Sequence, residues 1–151
     1  MAAKTELEAI IAVLDGLRGG VLDKLAGLSE DDARRSTVPS GTNLAGLLQH
    51  LTFVEAKWFE QIVGGGKPTR GKRTMTVDPS VSLSALRVDY KAACATSNDI
   101  LRGIGDPEAM VNVNGKQRSL REVMLGIVDE IARHLGHADI IREQIDGKKG
   151  R

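Results

Sequence analysis

Apolar residues along the chain return at intervals of three and four, the spacing of one face of an α-helix. Leu7, Ile10, Ile11, Leu14, Leu17, Val21, Leu22, Leu25 and Leu28 mark a first helix over Glu6 to Leu28. Gly16, Gly19 and Gly20 weaken it by about 1 kcal/mol each relative to alanine, so it depends on packing. Ser29 is an N-cap for a short helix ending near Arg35, and Val38-Pro39-Ser40-Gly41 breaks the chain. Thr42 or Asn43 caps a second long helix, Leu44 to Val63, with the stripe Leu44, Leu47, Leu48, Leu51, Val54, Trp58 and Ile62. Gly64-Gly65-Gly66 stops it, and the basic stretch Lys67 to Arg73 reads as a solvated, irregular connection. A third helix follows Ser82, and Asp106-Pro107 ends it. Val111 to Lys116 carries an Asn-Gly dipeptide suited to a tiny hairpin. Ser119-Leu120-Arg121-Glu122 is a capping box opening a fourth helix to Asp146, with Gly147 as its stop.

Four amphipathic helices without a strong strand pattern predict an all-α four-helix bundle, residues 1–151 forming one domain. The connection between the second and third helices is long enough for a crossover. Composition agrees: 41% hydrophobic and only 3% aromatic residues imply an aliphatic core. Lys plus Arg is 21 against 20 for Asp plus Glu, without the basic excess of a phosphate-reading nucleic-acid binder. No apolar run approaches membrane-spanning length, and the charges in MAAKTELEAI argue against a signal peptide. A lone cysteine, Cys94, excludes an intrachain disulfide and suits a reducing cytoplasm. It reads as a small helix residue, with no histidine near it in sequence to activate it.

The chemistry gathers on two helices. On a helical wheel with Leu120 as its origin, Glu130 falls at about 280°, His134 at about 320° and His137 at about 260°, along one edge of the core-facing stripe. On a wheel with Leu44 as its origin, His50 falls at about 240°, also at a stripe edge. All three histidines of the chain therefore sit where two helices meet, beside a carboxylate. Imidazoles and a carboxylate converging between helices suit zinc or a similar divalent ion. The plainer alternative is partly exposed histidines bonded to backbone or carboxylates. Three protein ligands leave a coordination position open for water or substrate, whereas a fourth closes the site. Charged residues also occupy apolar arcs: Arg18, Glu55 and Arg142. Glu55 is expected to pair with Arg18 or Arg142, since an unpaired buried charge is far more costly. Trp58 and Phe59 read as packing residues able to wall a pocket.

Two segments, Leu47 to Phe59 (LLQHLTFVEAKWF) and Ile131 to Glu143 (IARHLGHADIIRE), resemble the DinB-like superfamily, in the bacterial branch related to mycothiol-dependent enzymes. Leu28-Ser29-Glu30-Asp31-Asp32-Ala33-Arg34-Arg35 followed by Val38-Pro39-Ser40-Gly41-Thr42 matches the same branch. The resemblance implies a bundle with a crossover, a divalent metal (zinc, or nickel in some relatives) and often a homodimer. It carries the first histidine ligand onto His50. Two spacings remain for the others: His134 with His137, three apart where many relatives have four, or Glu130 with His134, four apart as in some thiol-dependent isomerases. The implied function is a cytoplasmic transferase joining mycothiol, or a similar low-molecular-weight thiol, to an electrophile in detoxification. A non-catalytic metal-binding stress or scaffold dimer and a metal-dependent hydrolase are the alternatives.

Overall fold

The computed structural model describes residues 5–67 and 70–150. Thr5 accepts the Glu8 N–H and starts α1, Glu6–Asp23. Ser29 caps α2, Glu30–Arg34. Asn43 caps α3, Leu44–Glu55, which continues as a π-helix over Ala56–Val63. Ser82 caps α4, Leu83–Ile104. The hairpin β1 (Met110–Val113) and β2 (Lys116–Ser119) pairs Val113 with Lys116 across Asn114 and Gly115. Both turn residues have positive φ, 52° and 85°, the Asn-Gly geometry that matches strand twist. The capping box at Ser119 and Glu122 is formed and starts α5, Leu120–Asp146, which Gly147 ends at φ 78°.

Two expectations are corrected. The first helix stops at Asp23, short of Leu28. Turns follow through Gly27 at φ +75°, and Arg142 Nη1 donates to the carbonyls of Lys24 and Ala26, both at 2.9 Å. Leu25 is buried all the same, which is why the apolar periodicity overran the helix. The second helix does not stay α to Val63. After Glu55 its winding widens, ending with the Gly64 N–H on Phe59 O at 2.8 Å. A wheel drawn from Leu44 therefore holds only as far as Glu55.

The fold is mostly helical, and side-chain pairs fix how the long helices lie. Arg121 reaches Glu6 at one end of α1, and Lys24 meets Asp139 at 2.7 Å at the other, so α1 and α5 run in the same direction. Arg102 bonds Glu8 at 2.8 Å and Arg87 bonds Leu25 O, so α4 opposes α1. Ser97 on α4 reaches Glu55, and a Cβ placed on Gly64 would lie 3.3 Å from Ile100 Cδ1, so α3 and α4 run together. Residues 71–76 run backwards along α3, Gly71 against Phe53 and Met75 against Gly46. Each long helix packs against two others in the ring α1, α5, α3, α4. Leu14, Leu48, Phe59, Tyr90, Leu101, Met124 and Ile131 fill the centre. Among the described residues no helix is long and apolar enough to cross a membrane.

Candidate metal centre

The first element of the site is a strap laid along α3. Gly46 lets Met75 O approach so closely that a Cβ there would lie 2.1 Å from it. Gly71, at φ +72°, sits where a Cβ would be 2.3 Å from Phe53 N. Buried Gln49 donates its amide to Thr74 O at 2.9 Å and Thr76 O at 3.1 Å. Between these anchors, Arg73 O lies 3.1 Å from His50 Nδ1. A carbonyl can only accept, so Nδ1 carries a proton, and in the neutral ring the lone pair is then on Nε2.

That Nε2 faces α5. Glu130 and His134 are one turn apart, with His134 Nε2 to Glu130 Oε1 at 3.0 Å. His50 Nε2 lies 3.8 Å from the same oxygen, and the two imidazole rings meet edge-on at 5.0 Å. One donor atom from each of His50, Glu130 and His134 falls within 4.8 Å of the others, all three residues being half-buried. His137 is exposed and lies outside this group; its ring packs on His134 at 5.6 Å. The structure thus brings together three of the four sequence-predicted ligands and sets His137 beside them.

The donor set fits a divalent ion. Ligands 2.0–2.1 Å from a tetrahedral zinc are about 3.3–3.4 Å from one another, and the 3.0 and 3.8 Å separations bracket that value. His134 Nδ1 is buried with no hydrogen-bond partner. Burial holds the His134 pKa below its ordinary 6.5 against the opposing pull of Glu130, with His50 and His137 adding to the depression. A neutral imidazole is the form that ligates.

Beside Glu130, a cavity of about 310 Å³ opens between Trp58, the hairpin and α5. On the inner side of α3, Glu55 is fully buried and takes Arg18 Nε at 2.7 Å, Arg18 Nη2 at 2.8 Å and Ser97 Oγ at 2.7 Å. Of the two partners the sequence offered, Arg18 is the one, while Arg142 bonds Asp146. Burial opposes the Arg18 charge, but the Glu55 carboxylate outweighs it and leaves the guanidinium pKa raised. Burial pushes the Cys94 thiol pKa well up, which disfavours the thiolate that a nucleophile needs. Sequence reasoning missed the strap. Its working group is a backbone carbonyl, which no residue type announces.

The sequence model of the family described as "MST: Mycothiol-S-transferase" matches residues 9–147. No curated protein matches the chain significantly. Among solved structures, one titled "Crystal structure of the conserved protein of locus from Enterococcus faecalis" superposes with a TM-score of 0.79 at 14% identity. The match covers 97% of this chain and 100% of that one, a likeness of fold alone. The family match agrees with the DinB-like resemblance of the two histidine segments, spans both helices that carry the candidate ligands, and leaves out only the ends: the chain belongs to the mycothiol-S-transferase family.

Proposed function

We propose that the chain is a metal-dependent thiol S-transferase, acting in the cytoplasm as a four-helix-bundle homodimer with the strap as its crossover. It joins mycothiol, or a similar low-molecular-weight thiol, to an electrophilic carbon. The observation that carries this reading is the approach of two imidazole Nε2 atoms to one oxygen of Glu130. His50, His134 and Glu130 would hold the ion, zinc first and nickel second, with His137 as a neighbour able to take Glu130's place. The bound ion supplies positive charge that lowers the thiol pKa into the neutral range. Three protein ligands leave room for the thiol, the arrangement of catalytic rather than structural sites.

The chain's own groups have separate tasks. Arg73 O fixes the His50 tautomer through Nδ1. Where His137 takes Glu130's place as ligand, the Glu130 carboxylate is left to take the thiol proton. Sulfur then forms its bond to carbon while the leaving group departs with the old bonding pair. The test is turnover of a chlorinated aromatic electrophile with several thiols, metal-loaded against metal-stripped. Thiol-dependent turnover that disappears on stripping and returns with metal is expected. Equal rates in both preparations would overturn the proposal.

A further inference from the structure

The cavity beside Glu130 has a chemistry of its own. Its walls are Trp58 from the π-helix, Val113 from the hairpin, and Val123 and Ile127 from α5, and Gly126 also lines it. Besides Glu130 the charged lining groups are Arg118 and Glu122, each about half exposed and 3.8 Å apart, paired with one another. The volume, about 310 Å³, is at the small end of ligand sites, which run from roughly 300 to 1,000 Å³. A sugar-bearing thiol would leave its hydroxyls unpaired against such walls, at a cost on the order of 1–3 kcal/mol for each buried group. One or two fused aromatic rings fill the space and gain an aromatic partner in Trp58.

We infer that this cavity seats the electrophile, and that the electrophile class is a neutral compound built on one or two aromatic rings. The inference rests on the transferase reading for the word electrophile, but the cavity's ligand class stands on the lining alone. Glu130 belongs both to the cavity wall and to the candidate ligand set, so a ring held here lies next to the metal site. The π-winding matters too: it begins immediately after Glu55 and carries Trp58, so the wall is built by the same departure from α-geometry that ends the regular helix.

The chain has one tryptophan, so Trp58 fluorescence reports directly on the cavity. The probe is 1,3-dinitrobenzene, an unreactive aromatic quencher, titrated into the full chain without thiol or metal. Saturable quenching is expected. Gly126→Leu should abolish the saturable phase or weaken its midpoint at least tenfold. A Cβ at Gly126 meets nothing within 4 Å, and leucine favours a helix over glycine, so the variant should fold while filling the space. Circular dichroism and zinc titration check that fold and metal site survive. Quenching that rises linearly without saturation in the parent would overturn the inference, as would an unchanged midpoint in folded Gly126→Leu. Because neither thiol nor metal is present, these outcomes are independent of the transferase assay: saturable binding without turnover would sink the transferase reading and leave the aromatic site standing.

Discussion

Glu55 shows what one residue contributes when its environment leaves no solvent to share the charge. It is fully buried, and its carboxylate takes three hydrogen bonds from Arg18 and Ser97. Arg18 is held in turn by Asp15 at 2.8 Å and Asn98 at 2.7 Å, which ties α1, α3 and α4 together. Removing one partner strands the other charge. Glu55→Ala should therefore cost about 3–5 kcal/mol by urea denaturation. The double variant Glu55→Leu/Arg18→Leu should lose less than the single one, because no charge is left unpaired. A single-variant loss below about 0.5 kcal/mol would disprove the buried pair. His134 offers a second check, on metal-stripped protein. Its folded pKa lies below 6.5, so the unfolded chain binds the proton first as pH falls. The His134 term therefore leaves stability intact above 6.5 and erodes it as pH drops from there toward the folded pKa. An NMR titration should place the His134 midpoint below that of an unstructured histidine, and a midpoint at or above it would be the contrary result.

Where helices begin and end was largely legible in the chain, and the reason is local. Ser29, Ser82, Ser119 and the Gly147 stop act on backbone groups a few residues away, so their neighbours suffice to read them. The π-winding after Glu55 and the path of residues 71–76 depend on contacts from elsewhere and leave no period in the sequence. His50 was still placed correctly at its helix edge, because it precedes the change of winding. His137 was not separable from His134 by a wheel, which contains no second helix: the two differ by about 60° and one turn, and only the position of α3 decides between them. In the proposed metal site the strap supports His50. Gly71→Ala forces a side chain into positive φ against Phe53 N, and Gln49→Leu removes both amide donors. Each should lift Arg73 O away from His50 Nδ1 and weaken zinc binding about 10–100-fold, as loss of a ligand's supporting hydrogen bond does. Helix content should stay near the parent's. Parent-like affinity in both variants would show that the strap has no part in the site.

His50→Ala and His134→Ala should each abolish stoichiometric metal binding, since both ligand sets include them, and Glu130→Ala should weaken it more than His137→Ala because Glu130 lies in the close group. Competitive titration against a chromophoric chelator measures all four, and parent-like binding by both His50→Ala and His134→Ala would remove the site. Assembly is a separate matter, on the other side of α5. Between α1 and α5 a groove is lined by Ala9, Ile10, Val13, Leu125 and Val128, with Val13 and Leu125 each 51% exposed. The Glu6–Arg121 ion pair borders it. Leu125 is about 140° round α5 from Glu130, so covering the groove need not cover the candidate metal centre. A two-fold axis would lay the groove of one copy on that of the next, apolar centre on apolar centre. A net charge of +1 offers little repulsion. Sedimentation at micromolar concentration should show twice the 16.2 kDa chain mass. Leu125→Glu puts a charge at the centre of that contact and should return the 16.2 kDa species with zinc affinity unchanged. A parent that sediments at 16.2 kDa would rule out the dimer, and a Leu125→Glu protein that remains dimeric would move the interface to another face.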